Sequence, residues 1–172
     1  MRFISLALVA ATLAVAPVSA RAPVQPAPVE TLVKQVDIPH ERFVLGNGLR
    51  VLVHTDRKAP VVAVSIWYDV GSKHEPQGKT GFAHLFEHLM FGGSVNIPVY
   101  DEPLQRAGGE NNAYTTNDLT NYYCQIPAEN IETAFWLESD RMLSLAFSKK
   151  SLEVQRKVVC EEFKEHYINK PY

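Results

Sequence analysis

The chain has 172 residues, of which 46% are hydrophobic, 21% charged and 10% aromatic, and 17 basic against 19 acidic side chains leave a formal net charge of -2. This composition excludes wholesale disorder, a collagen-like repeat and a coiled-coil rod, and the near-neutral balance gives no electrostatic case for nucleic acid as a partner. The length suits one domain with a sizeable core.

Arg2 opens the chain with a positive charge, and Phe3 to Ala16 is an apolar run broken only by Ser5 and Thr12. Val18-Ser19-Ala20 then offers small residues for cleavage. Residues 1–20 read as a secretory signal peptide, because the run is short for a spanning helix. An uncleaved anchor is the alternative. No later stretch is apolar enough to cross a membrane, so none is expected after cleavage, and the expected location is the bacterial periplasm or the extracellular space. Such compartments permit disulfides. Cys124 and Cys160 could form one bridge, but two buried free thiols are favoured, since free cysteine packs as a small hydrophobe.

Residues 21–39 read as a linker or arm, because Pro23, Pro26, Pro28 and Pro39 hold four of the eleven prolines and favour extended backbone. Phe43 to Leu45 and Leu49 to Val53 flank Gly46-Asn47-Gly48, the pattern of a hairpin. Val61 to Val70 is rich in β-branched and aromatic residues and predicts a buried strand. A polar loop from Gly71 to Gly78 leads to a helix with Thr80 as N-cap and Gly92-Gly93 as stop. A short helix follows near Val99 to Ala107. Strands are predicted at Asn112 to Thr116 and Thr120 to Ile126 around an Asn117-Asp118 turn. Helices near Asn130 to Leu145 and Ser151 to Ile168 complete the order. The result is an α+β fold, with helices packed on a mainly antiparallel sheet. Trp67, Trp136, Phe135 and Tyr123 are expected in the core, and His40, His54, His74 and His166 at the surface or in turns.

The chemistry concentrates in His84-Leu85-Phe86-Glu87-His88. On a helix, His84 and His88 are i and i+4 and Glu87 is i+3 from His84, so all three project from one face. Phe82, Leu85, Phe86, Leu89 and Met90 fall mostly on the other side and are expected to bury against the sheet. Two neutral imidazoles one turn apart suit a single zinc ion, and Glu87 stands where it could take a proton from water. The plain alternative is a solvated helix face. Catalytic zinc usually takes three protein ligands and keeps one open position, so a third ligand is required. Glu162 is the candidate. It lies at the edge of a stripe formed by Leu152, Val159 and Phe163, where an unpaired carboxylate is costly to desolvate unless it binds a cation. Glu161 points about a third of a turn away, and a surface charge or salt-bridge partner is the other reading of Glu162. Gly78-Lys79-Thr80 suggests a phosphate-binding loop, but that motif needs glycine where this chain has Lys73.

Together with Gly81-Phe82-Ala83, Met90-Phe91-Gly92, Gly108-Gly109-Glu110-Asn111-Asn112-Ala113-Tyr114-Thr115, Asp118-Leu119-Thr120-Asn121-Tyr122-Tyr123 and Gln155-Arg156-Lys157-Val158-Val159-Cys160-Glu161-Glu162, the inverted motif H-x-x-E-H resembles the pitrilysin family of zinc metallopeptidases, which includes insulysin and the mitochondrial processing peptidases. The resemblance runs over roughly residues 40–172 and implies part of a LuxS/metallopeptidase-like domain. It implies one zinc ion per chain held by His84, His88 and Glu162, with Glu87 as general base on zinc-bound water. It further implies that the strand near Asn112 and Ala113 contacts a peptide substrate as an added edge strand. The family often has a second glutamate where this chain has Gln155, an amide that lacks the charge to polarise a zinc-bound histidine. The implied activity is hydrolysis of peptides or unfolded segments by an exported metalloendopeptidase. The alternative is a non-catalytic or partner-dependent zinc-binding subunit of a processing-peptidase-like complex. Family members close a chamber from two homologous halves, so residues 40–172 are expected to be an incomplete N-terminal domain that meets a second homologous domain or subunit.

Overall fold

The computed structural model describes residue 26 and residues 28–35, 37–146 and 148–169. The expected signal peptide lies outside the described residues. Two compact units divide the chain, Met1–Thr55 and Asp56–Tyr172.

In the first unit, helix α1 (Val29–Gln35) interrupts the stretch expected to be extended. Its formation follows the spacing of the prolines: Pro26 and Pro28 stand before the helix, where their missing N–H groups cost nothing. Strands β1 (Glu41–Val44) and β2 (Arg50–Val53) then pair antiparallel, with Phe43 opposite Val51. The turn is closed by Gly48 N donating to Leu45 O at 2.9 Å and by Leu49 N donating to Asn47 Oδ1 at 3.1 Å. Gly48 has φ +89, the left-handed region in which a side chain is strained.

The second unit is built on strands β3 (Val61–Tyr68), β4 (Glu110–Thr115) and β5 (Thr120–Pro127) in the order β3-β5-β4, antiparallel throughout. Helices α2 (Phe82–Met90), α3 (Asp101–Arg106), α4 (Ile131–Ser144) and α5 (Lys149–Phe163) complete it. A π-helical turn, Lys164–Ile168, continues α5. This is the expected α+β class with antiparallel pairing.

The core gathers where α3 and α4 cover one face of the sheet. Leu104, Cys124 and Ile126 are 1% exposed and Leu137 is fully covered, with Ile97, Tyr100 and Ala134 around them. Burial on this scale stabilises by about 1.5–3 kcal/mol for each large apolar side chain. Behind this layer lies a buried ion pair. Arg141 donates from Nε to Glu138 Oε2 at 3.0 Å and from Nη2 to both carboxylate oxygens at 2.7 Å. Tyr100 adds a hydrogen bond to Glu138 at 2.8 Å, and the guanidinium lies 4.6 and 4.5 Å from the ring centroids of Tyr100 and Tyr122. Burial pushes both phenols, and that of Tyr68, above their ordinary range.

Several expectations are corrected. The strand from Val61 is not buried: its residues alternate between half-buried and exposed, as one face of β3 points away from the helices. Trp67, Phe135 and Trp136 are 61%, 54% and 50% exposed, because they occupy that outward face and the outer side of α4. Tyr123 is half-buried. Phe163 is likewise exposed, since the inward stripe of α5 runs through Leu152, Gln155, Val159 and Glu162. Cys124 and Cys160 are free thiols, the first buried and the second exposed on α5. His40, His54, His74 and His166 are all exposed.

Candidate metal centre

The helix that carries the motif is started from a distance. Thr80 is not its cap; Gly81 holds that position with φ +109. Gly81 N donates to Glu75 Oε2 at 2.8 Å and Ala83 N donates to Glu75 Oε1 at 2.7 Å. One carboxylate thereby satisfies two of the free N–H groups at the start of α2, where the helix dipole also favours negative charge. The helix then buries Ala83, Leu89 and Met90, while Phe82 and Phe86, expected to bury as well, stay half exposed beside an apolar cavity of about 360 Å3. At the far end, Ser94 and Asn96 donate to Asp140 on α4, which holds the loop after α2 and keeps the Asp140 carboxyl below its usual range, through the Ser94 hydrogen bond first.

With the helix fixed at both ends, His84 and His88 stand one turn apart with ring centroids 4.8 Å from each other. Their Nε2 atoms are 3.1 Å apart. Helix α5 packs against α2 and brings Glu162 Oε2 to 3.2 Å from His84 Nε2 and 3.4 Å from His88 Nε2. These separations can be tested against a metal. In a tetrahedron with bonds of about 2.0–2.1 Å, neighbouring ligands are about 3.3 Å apart. The three atoms fit that spacing, and the donor set of two imidazoles and one carboxylate is one that zinc accepts at catalytic sites. All three side chains are partly exposed, which leaves room for a fourth ligand from solvent.

Glu87 takes no part in this triangle. It turns to the end of β4, where the Thr115 hydroxyl donates to its Oε2. Sequence reasoning missed both Thr115 and Glu75. Glu75 has no local signal, whereas Thr115 shares a sheet face with Asn111 and Ala113 by simple alternation. Ala113 is half-buried on the face towards α2, and Asn112 points to the opposite, outward face. There Asn112 joins Glu110, Tyr123 and Gln125 around a depression of about 230 Å3, and its Oδ1 accepts from Ala113 N at 2.8 Å. The two residues expected to contact substrate thus lie on opposite faces of one edge strand. Gln155 is half-buried on the stripe of α5 that carries Glu162, and its side chain makes no hydrogen bond among the described residues.

Two histidines one turn apart on α2, facing a carboxylate on α5, form a donor set of the class that zinc accepts, with Glu87 on the same helix turned aside. Residues 50–170 match the family described as Insulinase (Peptidase family M16), and the chain belongs to that family. It is 36% identical over 135 residues to the zinc protease PqqE of Helicobacter pylori, covering 77% of this chain and 30% of that one. It is 31% identical to a probable mitochondrial-processing peptidase subunit beta of Arabidopsis thaliana, over 70% of this chain and 23% of the other. A crystal structure of a protease from Helicobacter pylori superposes with a TM-score of 0.74 at 34% identity, covering 77% of this chain and 33% of that chain. Pitrilysin superposes with a TM-score of 0.67 at 28% identity, over 74% of this chain and 14% of the other. The chain therefore spans about a third or less of the relatives it matches.

Proposed function

We propose that this chain carries the zinc half-site of an exported metalloendopeptidase that cleaves peptides or unfolded protein segments. The observation that carries the reading is the triangle of His84 Nε2, His88 Nε2 and Glu162 Oε2, with Glu87 on the same helix and outside the triangle. His84, His88 and Glu162 would hold one zinc ion, which when bound would supply a Lewis acid able to bring the pKa of water to about 7. Glu87 accepts a proton from the attacking water and returns it to the leaving amine. Strand β4, at the edge of its sheet, offers backbone groups to an extended peptide and so aligns the scissile bond beside α2. In that arrangement Ala113 supplies contact on the inner face, and Asn112 must release the Ala113 amide for a peptide carbonyl to take its place.

A second reading is supported by the names of the relatives. Cytochrome b-c1 complex subunit 1 of Bos taurus is 30% identical over 71% of this chain, and it is named as a subunit of a complex. The chain would then bind zinc and depend on a homologous domain or subunit to close a chamber around substrate. Export rests on residues 1–20 alone; among the described residues no helix is long and apolar enough to cross a membrane.

The experiment is elemental analysis followed by turnover of an unstructured fluorogenic peptide, with and without a chelator. Glu87→Gln should retain one zinc per chain and lose about 10²–10⁴-fold in turnover, the usual contribution of a general base. Full activity in Glu87→Gln refutes the peptidase assignment, and zinc without turnover in the unaltered protein selects the subunit reading.

A further inference from the structure

We infer that Thr115 is a positioning residue for Glu87, holding one carboxylate oxygen so that the other is presented to water in a fixed orientation. The inference rests on the peptidase reading above, because it takes Glu87 as the base.

The argument begins with protons. A threonine hydroxyl has one to donate. Thr120 Oγ1 donates its own to Val70 O at 2.9 Å. Thr115 Oγ1 lies 3.4 Å from Thr120 Oγ1, so Thr120 has no second proton to offer across that gap. Thr115 is left to donate, and Glu87 Oε2 is the acceptor beside it. A carboxylate accepts only, and a hydrogen bond to an ionised oxygen is about twice as strong as a neutral one. Glu87 Oε1 has no hydrogen-bond partner among the described residues, which leaves that oxygen for the attacking water.

The hydroxyl can position something only if it is itself held. Thr115 is the last residue of β4 and pairs with Thr120, the first of β5. Between them the turn is closed by Thr116 N donating to Leu119 O at 2.8 Å, while Thr116 Oγ1 accepts from Asp118 N at 3.2 Å and Leu119 N at 3.1 Å. The loop after β3 clamps this turn: Ser72 N donates to Thr116 O at 3.2 Å, Lys73 N donates to Asn117 O at 2.9 Å, and Lys73 pairs with Asp118 at 2.7 Å. Gly71 lies so close that a Cβ there would stand 2.5 Å from Thr116 O. The donor is therefore a rigid strand end, whereas glutamate has three rotatable bonds to be fixed.

The test uses the full chain in five forms: wild type, Thr115→Val, Thr115→Ser, Glu87→Ala and the Thr115→Val, Glu87→Ala double variant. In metal-free protein, a double-mutant cycle on urea unfolding should show a coupling of three- to tenfold in the folding equilibrium; additive effects would overturn the contact. In zinc-loaded protein, Thr115→Val should keep one zinc per chain and lose about tenfold in kcat with KM within twofold, and Thr115→Ser should restore kcat to within threefold. An unchanged kcat in Thr115→Val, or equal losses in the Val and Ser variants, overturns the inference. Absence of turnover in zinc-loaded wild type refutes the peptidase reading instead, and the coupling still decides whether Thr115 holds Glu87.

Discussion

Removing the zinc proposed for the His84, His88 and Glu162 triangle should release α5 before it disturbs the sheet. None of the fifteen residues of α5 is buried, so apolar packing contributes little to keeping this helix in place. Its ion pairs, Arg156 with Glu153 and Lys164 with Glu161, are exposed and tie the helix to itself. Exposed pairs of this kind contribute little in any case. What joins α5 to α2 at its C-terminal end is the triangle formed by Glu162 with His84 and His88. A ligand present at a thousand times its dissociation constant stabilises the state that binds it by about 4 kcal/mol, close to a thousandfold in an equilibrium constant. Amide hydrogen exchange of residues 149–163 should therefore speed up by up to about a thousandfold on chelation, while residues 120–127 of β5 change little. Mass spectrometry of zinc-loaded and chelated protein measures both segments in one experiment. Protection of α5 that stays within threefold, or falls equally in α5 and β5, would refute the idea that the metal staples one helix to the other.

Glu138→Gln keeps an acceptor for the Tyr100 hydroxyl but leaves the Arg141 guanidinium, 2% exposed, without its counter-charge. It should destabilise by about 3–5 kcal/mol in urea unfolding, and a loss under 1 kcal/mol would show that the pair is dispensable. Glu75→Ala leaves two N–H groups at the start of α2 unsatisfied and should cost about 1–2 kcal/mol. Because His84 stands in that first turn, the same variant should hold zinc more weakly in competition with a chelator. At high pH, the buried phenols of Tyr68, Tyr100 and Tyr122 resist ionisation, chiefly through desolvation, whereas tyrosines of the unfolded chain ionise near pH 10. The unfolded chain loses those protons first, so this contribution to stability is complete below about pH 10 and falls as the pH rises further. Phenolate absorbance should rise in a late step that coincides with loss of circular dichroism; a single step before unfolding contradicts the burial argument.

What was legible in the sequence was local. His84, Glu87 and His88 depend on one helical repeat, so five residues suffice to place them on one face. Glu162 is offered by the periodicity of α5 and singled out over Glu161 by the family resemblance, although Phe163, assigned to the same stripe, faces solvent. The strands and helices of the second unit lie close to where turn residues and periodicity put them. The features that escaped are joined across the chain. Glu75 caps a helix that starts six residues later, and Thr115 reaches Glu87 from 28 positions away. Residue type did not reveal which large apolar side chains would be covered either. Trp67 reads as core by composition, yet strand alternation sends it to the outward face of β3, and only the arrangement of helices around the sheet decides which face is the covered one.

The position of β4 at the edge of its sheet carries a consequence for handling the protein. A row of backbone donors and acceptors suited to an extended peptide is equally suited to β4 of another molecule, and the same hydrogen bonds would then drive self-association. Glu110 opens the strand with a charge that two antiparallel copies must accommodate, and the strand is only six residues long, both of which limit such pairing. On the proposed reading peptide and neighbour compete for one edge: concentrated solutions should clear when a non-cleavable peptide is added, and light scattering should fall in proportion to the fraction of edges it occupies.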